Sequence, residues 1–404
     1  MIRNDINKKS ISLIKANKIL ALEFATGVGK SKIALDIVNE LKTSNYKVLL
    51  VVAELAHIKN WEDEAQKWGY IALYNSITVV TYASLKKHQK LNYDLIILDE
   101  AHHIGSEVRL DILDNISFNK MLLLSATLND TLKYQLSALL NVSIKTYKIT
   151  MQQAIDLKLL SEPKIYLIPL LLNNKNYTET IVEEWGKSNL RKTYKCTYSD
   201  RWDYLKKRKE IPNATLEISC TPFQKYLYLT EQFNYYKKIY IRNKNEAIKN
   251  KWLQMGSKRK RFLGESKTPV IKKFLIGMEG IRYICFCSSI DQAVILGGEN
   301  SIHSKKDNSA EIIQKFNSKE NDSLFAVGML QEGQNLVDIE AGIIVQLDGQ
   351  DRSFIQKFGR SMRAEDPVQY IFYYQNTRDA EYLENVLEGI NKQYVKELGH
   401  ENND

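Results

Sequence analysis

The feature that most constrains this chain is a glycine-rich turn set between an apolar strand and a helix. Residues 19–24 read Ile-Leu-Ala-Leu-Glu-Phe, Ala25-Thr-Gly-Val-Gly-Lys30-Ser31 follows, and residues 30–42 carry helical spacing. Glycines let the backbone amides turn inward on phosphates, and a helix N-terminus adds positive potential. A strand that feeds a helix this way is half of a βαβ unit, so a parallel sheet with covered faces is expected. The rest of residues 1–150 agrees. Apolar runs at 47–53, 77–81, 95–99 and 121–125 alternate with helical patterns, one of them at 58–68.

The turn implies chemistry as well as fold. Thr26, Gly27, Val28 and Gly29 would cradle phosphates, Lys30 would reach the β- and γ-phosphates of ATP, and Ser31 would hold Mg²⁺. The strict pattern G-x-x-x-x-G-K-[ST] asks for glycine at 24, where the chain has Phe24. About 70 residues later the apolar run 95–98 ends in Asp99-Glu100-Ala-His102-His103. A carboxylate at a strand tip can hold Mg²⁺ through water, which suits Asp99, and Glu100 would then orient and deprotonate the attacking water. The bland alternative is a pair of solvated acids, and the phosphate loop upstream argues against it.

Asp-Glu-Ala-His resembles motif II of the superfamily 2 helicases, the DEAH box, and residues 25–31 are similar to their Thr-Gly-x-Gly-Lys-Ser/Thr loop. Ser125-Ala126-Thr127 resembles their motif III, so the resemblance implies that His102, Ser125 and Thr127 couple nucleotide state to a second domain. Residues 48–69 resemble motif Ia of the Swi/Snf-type and restriction-type branches, with Asn60-Trp61 in the following helix. Here Ala53-Glu54 replaces the family's proline or serine plus threonine, and a glutamate does not favour a phosphate contact. Trp61 serves equally well as a core anchor. Thr81-Tyr82 resembles motif Ib, which implies that Thr81 touches the backbone of a bound strand.

In the second half, Gln356-Lys-Phe-Gly359-Arg360-Ser-Met-Arg363 fits motif VI, Gln-x-x-Gly-Arg-x-Gly-Arg, except at Met362. The resemblance makes Gln356, Arg360 and Arg363 part of the catalytic set, the two arginines acting as fingers on the γ-phosphate. Glu332-Gly333-Gln-Asn335-Leu336 resembles motif V, with Gly333 toward the nucleotide and Asn335 toward nucleic acid. Residues 283–288 resemble motif IV, whose loop would bring Ser288 to a sugar-phosphate backbone. Residues 215–228 and 261–267 resemble the opening of the Swi/Snf-type second domain and the segment before its motif IV. No clear Q motif precedes the phosphate loop.

The implied fold is α/β, two RecA-like domains with parallel sheets in tandem and the ATP cleft between them. The expected divisions are a first domain at 1–150, a linker and insertion at 151–214, a second domain at 215–385, and a C-terminal helix and tail at 386–404.

Composition narrows the partners. The 404 residues are 44% hydrophobic and 26% charged, as in a globular protein, and no run reaches the roughly 18 apolar residues of a membrane span. Without an apolar signal core at the N-terminus, the expected location is the cytoplasm, or a host cytoplasm if the lysine- and asparagine-rich chain is phage-encoded. The four cysteines lack zinc-ribbon spacing and read as reduced core thiols.

The net charge of +9 favours a polyanion. Residues 237–273 concentrate it, with thirteen lysines and arginines against Glu246 and Glu265 and with Tyr240, Trp252 and Phe262 among them. Lysine for phosphates and aromatics for bases is a single-strand-binding pattern, in which Lys258, Arg259 and Arg261 would touch nucleic acid. A solvated helix with buried aromatics fits equally. The polar stretch 173–213, with Trp185 and Trp202, could be a wedge, a protein-partner site or filler. The expected function is an ATP-dependent translocase or helicase that tracks one strand of DNA in replication, repair or recombination. An RNA helicase and a nucleotide-gated binding module with little hydrolysis are the alternatives. The intact set of Lys30, Asp99, Glu100, Arg360 and Arg363 argues against the second.

Overall fold

The computed structural model describes residues 2–186, 191–328, 336–347, 359 and 365–399. Its first part alternates helices and strands: α1 (Ile2–Ala16), β1 (Ile19–Phe24), α2 (Lys30–Leu41), β2 (Val48–Val52) and α3 (Leu55–Lys67), then β3 (Thr78–Thr81), β4 (Asn92–Leu98), β5 (Ser117–Ser125) and β6 (Ile144–Ile149). The six strands form one parallel sheet in the order β3-β2-β4-β5-β1-β6. Every residue of β1 and β2 is buried, as strands covered on both faces must be. β6 goes beyond the sequence reading. Its Ile-Lys-Thr-Tyr-Lys-Ile alternates with lysine and pairs with β1 at the sheet edge. α1 is likewise an addition, an amphipathic helix that buries Ile6, Ser10 and Ile14 along one stripe.

Among the described residues the second sheet also has only parallel pairs. It contains β7 (Lys164–Leu170), β11 (Tyr283–Phe286), β12 (Ser301–Ile302), β13 (Ser323–Ala326), β14 (Ala341–Ile344), β15 (Val368–Tyr374) and β16 (Val395–Glu397), in the order β12-β13-β11-β14-β15-β7-β16. Two expected divisions are corrected here. β7 lies inside the stretch expected to be linker and insertion, yet it pairs with all seven residues of β15. The chain end, expected to be a helix and tail at 386–404, leaves the helix Arg378–Leu387 at Gly389 (φ 79°) and returns as edge strand β16 beside β7. A left-handed glycine stops a helix because it turns the chain out of the helical path.

The polar stretch is folded. β8 (Glu179–Trp185), β9 (Lys192–Thr197) and β10 (Ala214–Cys220) form a separate sheet in the order β8-β10-β9. Its own small core holds Trp185, Leu216 and Ile218, and the Trp185 indole donates to the Ile211 carbonyl at 2.6 Å. Arg201 is buried, with its guanidinium 4.0 Å from the Tyr198 ring centre and paired with Glu231.

From β10 the chain enters a helical hairpin. Thr221 and Gln224 form a reciprocal N-terminal cap with Pro222 in the first turn, and the helix runs over Pro222–Asn243. Lys244 (φ 50°) and Asn245 reverse the chain into the second helix, Glu246–Ser266. Between the helices, Trp252 stacks on Tyr240 and tilts against Phe233. The root is fixed by Lys267, which is fully buried. Its ammonium donates to the carbonyls of Val345 and Phe372, to Gln346 Oε1 and to Asp379 Oδ2. Burial pushes this ammonium below its ordinary value, and the Asp379 carboxylate opposes the shift. All four cysteines carry free thiols, with Cys220 and Cys285 buried. No helix among the described residues is long and apolar enough to cross a membrane.

Candidate active site

β1 delivers the chain to the phosphate loop. Phe24 is the last residue of that strand, its ring packed edge-on against Tyr147 at 5.0 Å, so it lies in the core below the loop. Above it the backbone turns through Gly27 (φ 91°) and Gly29 (φ 100°), a left-handed region that side chains other than glycine rarely adopt. Gly29 caps α2, and Lys30 and Ser31 open that helix. The Lys30 ammonium donates to the Phe24 carbonyl at 2.9 Å, bridging the loop from its last residues to its first.

β4 lies two strands from β1, with β5 between them. Its end supplies Asp99 and Glu100. Asp99 Oδ2 accepts from the Trp61 indole at 2.8 Å, and Oδ1 accepts from the Glu100 backbone N–H at 3.0 Å. Glu100 has φ 45° and ψ 55°, an uncommon backbone for a glutamate. His102 Nδ1 lies 3.4 Å from Glu100 Oε2. On the intervening β5, Ser125 is buried. Its hydroxyl donates to the Thr127 carbonyl at 2.7 Å and accepts from the Thr127 N–H at 3.3 Å.

A cavity of about 770 Å³ opens at these strand ends, lined by Thr26 through Ser31 together with Asp99 and Glu100. The phosphate-loop and acid residues singled out in the sequence therefore meet at one place. The second domain reaches the same place: a Cβ built on Gly359 would lie 2.6 Å from Thr26 Cβ. Gln356, Arg360, Arg363, Gly333 and Asn335 lie outside the described residues.

Sequence reading missed part of the cavity wall. Arg3 and Asn7 on α1 line it, as do Asp36 on α2 and His57 on α3. Asn7 donates to Asp36 Oδ2 at 2.8 Å, and Arg3 donates to the Leu159 carbonyl at 3.1 Å. Tyr70 donates to Asp36 Oδ1 at 2.7 Å. That bond and then burial push its hydroxyl up to about 12. Among the described residues, Asn7 Oδ1 and His57 Nε2 are buried without a hydrogen-bond partner. The apolar stripe of α1 is the signal that could have found this wall, since it sets Arg3 and Asn7 on adjoining turns.

The expected nucleic-acid residues separate. Thr81 ends β3, half-buried, with its hydroxyl 3.2 Å from that of Ser84. Ser288 donates its hydroxyl to Gln292 at 2.9 Å and packs tightly on Gly264. Lys258 and Arg261 are exposed on the hairpin, but Arg259 is 4% exposed. Arg259 is a correction. It points between the two helices, where it stacks 4.5 Å from the Phe233 ring centre and reaches Thr230, so it holds the hairpin together instead of facing a ligand.

Two family models match the chain, "Type III restriction enzyme, res subunit" over residues 2–130 and "Helicase conserved C-terminal domain" over residues 266–365. The small sheet and the helical hairpin lie almost wholly outside both matches. A DNA 3'-5' translocase XPB2 from Sulfurisphaera tokodaii is 24% identical over a 358-position alignment that covers 84% of this chain and 74% of that one. Among solved structures, S. cerevisiae Dbp5 bound to RNA and ADP BeF3 gives a TM-score of 0.59 at 10% identity, over 97% of this chain and 89% of that one. Mss116p bound to ssRNA and AMP-PNP gives 0.54 at 12% identity, over 95% and 72%. At such identity the two structures speak for the fold alone, the tandem parallel-sheet domains of a helicase core. With the two family matches in this order along one chain, the protein belongs to the superfamily 2 helicases and translocases, enzymes that hydrolyse ATP to act on nucleic acid.

Proposed function

We propose that this protein is a DNA translocase or helicase whose ATP site is the cavity at the ends of β1 and β4. The observation that carries this reading is the meeting there of the Thr26–Ser31 loop, Asp99 and Glu100, with Gly359 of the second domain against Thr26. The loop amides and Lys30 would hold the phosphates. Ser31 and Asp99 offer the hydroxyl and carboxylate oxygens that a hard divalent cation prefers, so Mg²⁺ bound with the nucleotide would sit between them and neutralise phosphate charge. Glu100 would take the proton of the attacking water. Gln356, Arg360 and Arg363 would complete the site from the second domain, and His102, Ser125 and Thr127 would pass its state on.

The first domain is residues 1–150. The second comprises residues 215–385 together with β7 and β16. Thr81, Ser288, Asn335 and the exposed Lys258 and Arg261 would meet one strand of the nucleic acid, the hairpin residues through charge alone. DNA is favoured over RNA because the relative matched over 84% of the chain is a DNA translocase, while the RNA-bound structures share only the fold.

The test is steady-state ATPase activity of the purified protein alone and with single-stranded DNA, duplex DNA or RNA, beside Glu100→Gln. Strong stimulation by DNA that the variant abolishes is the expected result. Stimulation by RNA alone would replace DNA as the track. ATP binding with no hydrolysis on any polymer would leave a nucleotide-gated binding module.

A further inference from the structure

α3 turns one face toward the nucleotide cavity, and His57, Asn60, Trp61 and Glu64 fall on it at helical spacing. Trp61 is 3% exposed, so packing alone would explain an aromatic there. Packing does not explain where its N–H goes. The indole donates to Asp99 Oδ2 at 2.8 Å, a short bond to a group that carries a full charge. The Glu100 N–H takes the other oxygen at 3.0 Å. Tyr82, the residue after Thr81, donates its hydroxyl to the Asp99 backbone carbonyl at 2.9 Å. Three donors from three segments thus fix both carboxylate oxygens and the peptide behind them. An unrestrained aspartate at a strand tip has several staggered rotamers, and most would aim the carboxylate away from the loop. A leucine or phenylalanine at 61 would fill the core and leave Asp99 free to turn.

We propose that Trp61, with Tyr82 behind it, is a positioning residue for ATP hydrolysis, its indole N–H setting the orientation in which the Asp99 carboxylate meets Mg²⁺. The inference rests on the reading of Asp99 as the Mg²⁺ carboxylate. It assigns a role in the ATP site to a helix that follows β2, on the side of the sheet where β3 brings Thr81. The site therefore draws on α3 as well as on the loop and the acid turn.

The test uses the full chain with Trp61→Phe, which keeps an aromatic ring and removes the donor, and Tyr82→Phe, which removes one hydroxyl. Affinity for a fluorescent ADP analogue is measured with and without MgCl₂, then kcat and KM for ATP, then the melting temperature. In Trp61→Phe the affinity gained on adding Mg²⁺ is expected to fall about tenfold and kcat by a similar factor, the loss of one charge-assisted hydrogen bond. Mg²⁺-free affinity and KM are expected to stay within about twofold. Tyr82→Phe is expected to move the same quantities in the same direction, by about threefold.

Equal losses with and without Mg²⁺, together with a lower melting temperature, would reduce Trp61 to a core anchor and overturn the proposal. So would unchanged values in both variants. If Trp61→Phe fails to fold, Tyr82→Phe decides by itself: an unchanged Mg²⁺ dependence overturns the proposal. A native protein that gains no nucleotide affinity from Mg²⁺ would instead bring down the assignment of Asp99.

Discussion

The nucleotide cavity of the first domain and the helical hairpin of residues 222–266 both gather charge, and they hold it in opposite ways. At the cavity the charged groups of the loop and the acid turn are fixed. Lys30 is bonded to the Phe24 carbonyl, Asp99 is held on both oxygens, and Glu100 is set on a left-handed backbone. On the hairpin Lys258, Lys260 and Arg261 stand in solvent, and the one arginine among them that is buried, Arg259, packs the two helices together. The difference follows from what each task requires. Phosphoryl transfer gains from charges that need no rearrangement when charge develops. Binding a polyanion gains from charge density, which is screened by salt and tolerates loose geometry.

The sharpest way to break this contrast is Glu100→Gln. Loss of a positioned general base is expected to lower ATP turnover by about 10²–10⁴ with nucleotide affinity kept, measured by steady-state hydrolysis beside ADP binding. Near-normal turnover would mean that the fixed carboxylate does no proton transfer.

A second variant tests fixed charge where no chemistry is assigned. Lys267→Met removes the ammonium that faces the buried Asp379 carboxylate at the hairpin root, and about 3–5 kcal/mol of stability is expected to go, read from urea unfolding. Lys258→Ala on the hairpin surface is expected to stay within about 0.5 kcal/mol. Similar losses in the two would erase the distinction between fixed and free charge.

Gly359→Ala probes where the second domain joins the cavity. A methyl group 2.6 Å from Thr26 Cβ overpacks the contact by about 1–3 kcal/mol, so ATP turnover is expected to fall roughly tenfold, while ADP affinity measures whether the loop itself is disturbed. Unchanged turnover would show that hydrolysis does not use this contact.

The smallest expected effect belongs to Lys258→Glu and Arg261→Glu. Each is expected to lower the slope of log affinity against log salt by about 1, measured by anisotropy with a labelled single strand. Unchanged slopes would turn the hairpin from nucleic acid toward a protein partner.

Much of the first sheet was legible in the sequence, because strands such as Val48–Val52 are apolar on both faces and the loop and acid turn sit at their ends. β6 and β16 were not, since Ile-Lys-Thr-Tyr-Lys-Ile and Val-Lys-Glu become strands only beside β1 and β7. The polar stretch 173–213 hid two strands of a sheet whose core draws on residues as far apart as Ile181 and Cys220. The basic neighbours of Arg259 point to a ligand contact, but helical phase places it inside.

The sequence by itself determined which groups could do the chemistry, because loop glycines, Lys30 and the Asp99-Glu100 pair must be those residue types at those strand ends. Tertiary structure alone decided what surrounds them. That Trp61 reaches Asp99 across 38 positions, that Arg3 and Asn7 wall the cavity and that Gly359 closes on Thr26 are contacts between distant segments. Local spacing sets which face of an element is apolar, and only packing sets what that face meets.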